Sequence, residues 1–234
     1  MLTFVGKDKK KISYAASFGI SELPEKYKSL YRKALLEYSH LSVREQRGKE
    51  IVEELTGRDD VFVTLDPTLL LSKESYLSLA STCNFDNYVL AFFLTTNVVA
   101  LMDVDRFARL KNLKLVVVGS KIKGIHAKFV SNAGPREWLG LIIKASFIVT
   151  DSFHGSVFSI LFNRPFRVLV SDSSRASRIY TLMNNFLLQD QIITPAGLKS
   201  LDMNSFIYDK ERVNKILDTL RSKSREWLIN AIEF

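Results

Sequence analysis

One cysteine, Cys83, stands among 234 residues, and only 5 proline and 10 glycine residues punctuate them. A single thiol cannot close an intrachain disulfide, and between Thr82 and Asn84 it makes a poor metal ligand. A disulfide-stapled fold is therefore excluded, and a reducing cytoplasm is the expected setting. No apolar run approaches the about 20 residues that cross a bilayer. The opening Met1-Leu2-Thr3-Phe4-Val5-Gly6 precedes its lysines instead of following them, so it does not read as a secretory signal. The chain also lacks a Gly-x-Gly-x-x-Gly fingerprint, a P-loop, a Gly-x-Ser-x-Gly elbow and any His or Cys pairing at metal spacing. No metal and no resident cofactor are implied.

What is present describes a packed globular protein: 47% hydrophobic, 11% aromatic and 25% charged residues, with 16 Phe. A formal net charge of +8 points to an anionic partner, whether a phosphorylated metabolite, a membrane surface touched from outside or nucleic acid. The basic residues are scattered apart from the cluster Lys7 to Lys11, and no basic stripe with interleaved aromatics appears, so a nucleic-acid partner is not expected.

From Ile12 onward, short apolar runs alternate with longer amphipathic stretches, the pattern of βα units around parallel sheets. Strands are expected at 12–17, 41–43, 61–65, 88–94, 113–118, 147–150 and 166–170. Helices are expected at 24–39, 45–55, 75–81, 135–144, 155–162 and 174–187, with one or two more after Asn204. Asp103-Val104-Asp105 is expected to open and cap a helix. The class is α/β with two Rossmann-like lobes, divided as residues 1–70, 71–204 and a helical tail 205–234. The first lobe, with three strands, is expected to be incomplete, because a parallel sheet needs both faces covered.

One junction stands out. In Thr150-Asp151-Ser152-Phe153-His154-Gly155, polar side chains follow an apolar strand and precede the apolar helix Val157 to Phe162. Ligands of open α/β sheets bind at such carboxyl edges, where helix N–H groups are unpaired. The N-terminal helix dipole favours an anion beside His154, which suits a general base, or an acid once a phosphate binds. Gly155 would let a ligand or loop approach the backbone. The same residues also fit a plain helix cap by Asp151 or Ser152, and the pattern alone leaves both readings open. Arg44 with Arg47, Arg136, and Arg175 with Arg178 fall at or near helix starts, where guanidinium groups could clamp anions. His126, in a loop without nearby acids, and His40 are expected to be structural or exposed.

Several segments taken in order resemble one family: Ile12-Ser13-Tyr14-Ala15-Ala16-Ser17-Phe18-Gly19, Ser42-Val43-Arg44-Glu45, Asp66-Pro67-Thr68-Leu69-Leu70, Gly134-Pro135-Arg136-Glu137-Trp138-Leu139, the His154 junction, and Asn163-Arg164-Pro165-Phe166. They are similar to polysaccharide pyruvyl transferases. The resemblance implies an architecture like the GT-B glycosyltransferases and transfer of pyruvate from phosphoenolpyruvate to a hydroxyl pair of a glycan or lipid-linked sugar. It maps an active-site histidine onto His154 and a donor-binding arginine onto Arg44. Arg175 and Arg178 match a later arginine motif whose role follows from charge. Asp151 would orient the His154 ring or take a hydroxyl proton, with Ser152 and Gly155 beside the substrate. Family members usually carry a further N-terminal segment ahead of the Ile12 region. A nucleotide-sugar glycosyltransferase of the same architecture and a non-catalytic glycan-binding remnant are the rival readings.

Overall fold

The computed structural model describes residues 2, 4–6 and 8–233, with Arg175 described by its main chain alone. In chain order the regular elements are β1 (Ile12–Ala16), α1 (Glu25–Leu35), β2 (His40–Val43), α2 (Gln46–Thr56), β3 (Val61–Val63), α3 (Lys73–Leu77), β4 (Tyr88–Phe92), α4 (Val98–Leu110), β5 (Lys114–Val118), β6 (Lys128–Val130), α5 (Pro135–Lys144), β7 (Phe147–Thr150), α6 (Phe153–Leu161), β8 (Phe166–Leu169), α7 (Ser177–Asn185), β9 (Ile192–Ile193) and α8 (Lys210–Glu233). They form two compact units, one of Met1–Leu70, Asp172–Phe186 and Asn214–Phe234, the other of Leu71–Ser171 and Leu187–Val213.

The first unit holds a parallel sheet in the order β1-β2-β3. Its core gathers Leu35, Tyr38, Leu41, Val43, Val52 and Val61. Helix α2 stops where Gly57 takes φ 72°, a left-handed conformation that lets its N–H reach the Glu53 carbonyl. β1 is irregular between Ser13 and Ala16, and Ala15 sits at φ 48°. The buried Ala15 N–H is met there by Ser42 of β2, whose Oγ accepts it at 2.9 Å.

The second unit is a six-stranded parallel sheet in the order β6-β5-β4-β7-β8-β9. From β4 the chain steps outward to β5 and β6, then crosses back to β7 on the other side of β4. Strands β4 and β7 are nearly all buried, which explains their unbroken apolar sequence. One face is filled by Val104, Phe107, Val117, Val149, Leu198 and Phe206, where Phe107, Phe147 and Phe206 pack ring against ring.

Three expectations need correction. Asp103 and Asp105 lie inside α4, whose cap is Asn97, accepting the Ala100 N–H at 3.0 Å. Aspartate is itself a favoured N-cap residue, and Asp103 and Asp105 inside the helix drew the expected start away from Asn97. His126 does have an acid beside it: its Nδ1 lies 3.4 Å from Oδ2 of the buried Asp105, a neighbour that only tertiary packing supplies. Strands β6 and β9 are 3 and 2 residues long, too short for a periodic signal.

Candidate active site

In the second unit the winding reverses between β4 and β7, so the carboxyl ends of these two neighbours diverge into connections that leave in opposite directions. Such a reversal opens a crevice at the sheet edge where ligands of open α/β folds settle. Thr150 to Gly155 lies at this place, pairing with β4 through the Phe92–Thr150 register.

Each residue of the junction has a distinct task. Thr150 Oγ1 donates to the Phe92 carbonyl at 2.6 Å and accepts the Ser152 N–H at 3.0 Å, fastening the end of β7 to β4. Asp151 Oδ1 accepts the Leu94 N–H at 2.7 Å, joining the connection after β4 to that after β7. Burial pushes the Asp151 carboxyl above its ordinary range, with backbone donors at Leu94 and Thr95 pulling the other way. Ser152 caps α6 by accepting the Gly155 N–H at 3.2 Å. Gly155 is packed against the strand: a Cβ there would stand 2.6 Å from Thr150 Oγ1, so the residue that comes close to its backbone is Thr150.

His154 is the member of this turn left exposed, while Ser152, Phe153 and Gly155 are buried. Its ring meets Phe153 edge-on with centroids 5.3 Å apart. An imidazole on the first turn of α6, three residues after the partly buried Asp151, can exchange protons with a bound molecule and leave the helix N–H groups to face negative charge. Phe92 at the end of β4, Trp138 of α5 and Phe158 of α6 pack edge to face on one another.

Of the arginines singled out, Arg44, Arg47, Arg175 and Arg178 belong to the first unit and Arg136 to the second. Arg44 follows β2 and pairs with Asp66, Nη1 to Oδ2 at 2.5 Å, while Asp66 also accepts the Thr68 N–H. Arg178, on α7, is half-buried with its guanidinium about 3.6 Å from where a Cβ of Gly19 would stand. The Arg175 side chain lies outside the described residues. Arg47 is engaged by Glu50, Glu54 and the Ser21 carbonyl, and Arg136 donates to the Leu79 carbonyl.

Glu45 escaped the sequence reading. Wholly buried, its Oε1 accepts the Ser17 hydroxyl at 2.9 Å and the N–H groups of Phe18 at 2.8 Å and Gly19 at 3.2 Å. It occupies the N-cap of α2, where its carbonyl accepts the Lys49 N–H at 3.2 Å but its side chain makes no capping bond to the helix. The available signal was a glutamate where Ser, Thr, Asp or Asn is preferred. Among the described residues no three His, Cys, Asp or Glu side chains gather as metal ligands, and no helix is long and apolar enough to cross a membrane.

A family model described as polysaccharide pyruvyl transferase matches residues 1–173. The chain belongs to the polysaccharide pyruvyl transferase family. The match contains both the Ser42 to Glu45 segment and the His154 turn. No curated protein sequence matches this pyruvyl transferase family member significantly. Among solved structures it is similar to a chain assigned as a UDP-N-acetylglucosamine 2-epimerase from Listeria monocytogenes, with TM-score 0.58, 13% identity, and coverage of 91% of this chain and 63% of that one. It is also similar to the UDP-GlcNAc 2-epimerase of Neisseria meningitidis, with TM-score 0.57, 11% identity and coverage of 93% and 69%. A third likeness is to the wall teichoic acid polymerase TagF, with TM-score 0.51, 14% identity and coverage of 99% and 71%. The chain thus spans less than two thirds of the length of the first of these structures. At such identities these likenesses establish the α/β fold with parallel sheets shared with GT-B glycosyltransferases and epimerases.

Proposed function

We propose that this family member transfers pyruvate from phosphoenolpyruvate to two hydroxyls of a sugar in a surface polysaccharide or its precursor, forming a ketal. The observation that carries the reading is the position of the His154 turn, at the winding reversal of the second unit and within the family match. In this reaction the methylene carbon gains a proton, and two hydroxyl oxygens attack the resulting cationic carbon. The bond to phosphate oxygen breaks, and the two hydroxyl protons end on the methyl group and on phosphate. His154 exchanges these protons, Asp151 takes one from an attacking hydroxyl, and the α6 N-terminus faces the phosphate. A carboxyl that burial holds above its ordinary range accepts a proton more readily than an exposed aspartate does. Arg44, Arg178 and Arg175 are proposed as anion-binding residues, Arg44 while paired to Asp66. The scheme needs no metal or redox cofactor, and the setting is proposed to be cytoplasmic.

The test is release of inorganic phosphate from phosphoenolpyruvate in the presence of candidate glycan acceptors, for the unaltered chain and for His154→Ala. Acceptor-dependent release lost in the variant supports the reading; equal release in both removes His154 from the chemistry. Tight binding of uridine diphosphate with none of phosphoenolpyruvate would transfer the chain to the nucleotide-sugar enzymes.

A further inference from the structure

The first unit contains an open pocket of about 390 Å3 bounded by Phe62, Val63, Thr64 and Leu65 at the end of β3, by Asn185 at the end of α7, and by one stripe of α8. The stripe arises from helical spacing: Leu220, Ser224, Trp227 and Ala231 recur every three or four residues and so share a face. Ser224, buried, accepts the Leu65 N–H at 3.0 Å and fixes α8 against the strand end. Trp227 then forms a wall, its ring centroid 6.0 Å from Tyr14 and 6.3 Å from Phe62. Phe62 is 53% exposed, a strand phenylalanine left open at the mouth of the pocket.

The rim is polar and unengaged. Among the described residues, the side chains of Asn185, Lys223, Glu226 and Asn230 make no hydrogen bond or ion pair, and the Trp227 indole N–H has no acceptor. Two carboxamides, each able to donate and accept, stand beside an ammonium and a carboxylate whose charges cancel. An aromatic wall takes the C–H face of a pyranose, and amide groups at its edge match ring hydroxyls that both donate and accept. A phosphate or mononucleotide would want net positive charge, and Glu226 opposes it.

We propose that this pocket is a binding site for a neutral saccharide, with one sugar ring stacked on Trp227 and its hydroxyls held by Asn185, Asn230, Lys223 and Glu226. The site lies wholly within the first unit and does not rest on the pyruvyl-transfer reading. It would hold a glycan chain through a ring that undergoes no chemistry.

The experiment is a two-dimensional NMR titration of the full chain, following the Trp227 indole N–H with lactose and methyl β-galactoside as probes and uridine monophosphate as contrast. The chain has two Trp, so Trp227→Phe identifies the signal by its loss. Lactose should shift it saturably in the millimolar range. Trp227→Phe, which keeps a ring against Tyr14, should weaken binding about tenfold as read from backbone amides of the pocket, and Asn230→Ala several-fold. A backbone spectrum unchanged elsewhere establishes that both variants are folded. The proposal is overturned if neither sugar shifts the signal, if uridine monophosphate alone does, or if both variants bind lactose as tightly as the unaltered chain.

Discussion

Ser42, wholly buried in β2, accepts the Ala15 N–H and the Thr64 hydroxyl, both at 2.9 Å, and lies 3.3 Å from the Ser13 carbonyl. Replacing it with Ala strands those groups away from water, so Ser42→Ala should lower unfolding free energy by about 1–3 kcal/mol, measured by urea titration. Asp151 allows a prediction with a sign. Burial raises its folded value above the ordinary 3.8, so the folded state holds the proton more tightly than the unfolded chain. The resulting stabilisation is full below the unfolded value and is lost as pH rises through the folded one. Asp151→Asn, whose amide oxygen still accepts the Leu94 N–H, should flatten that fall when unfolding is compared between about pH 3.5 and 7. The cluster around Asp151 was legible because polar residues interrupt an apolar run. Ser42 and Glu45 were not, since their partners lie 27 and 26–28 residues away and nothing local marks the pairing.

Helices and strands were read most securely where local chemistry and burial agree. Pro135 at the first position of α5 and the apolar spacing after it placed that helix at its observed bounds. What the pattern could not show is why Gly140 sits inside it: a Cβ there would stand 2.2 Å from the Ser81 carbonyl oxygen, main chain that cannot swing aside. The segment before β4 lies against this helix, with the Ser81 N–H donating to the Arg136 carbonyl at 3.0 Å. Gly140→Ala should therefore cost about 3 kcal/mol by overpacking despite the better helix propensity of alanine, and thermal unfolding of the variant checks this. Helix α4 was misread at its start because Asp103 and Asp105, residues that favour a cap, lie inside it while the cap is Asn97.

For the whole chain, the α/β class and parallel sheets followed from alternating run lengths, and the family from the order of several segments. The return of residues 172–186 and 214–234 to the first unit has no periodic signature, since a helix carries no mark of which sheet it will cover. If the proposed chemistry holds, His154→Ala should reduce acceptor-dependent phosphate release at least about 100-fold, the usual scale of a lost proton-transfer group, with the unfolding midpoint unchanged because the ring is exposed. The bond from Leu94 N–H to Asp151 has a practical use at this scale. That amide is held by a titrating side chain instead of a neighbouring strand, so its nitrogen chemical shift and solvent-exchange rate report directly on the charge and occupancy of the crevice. A single backbone resonance can thus gauge which small molecules the chain accepts.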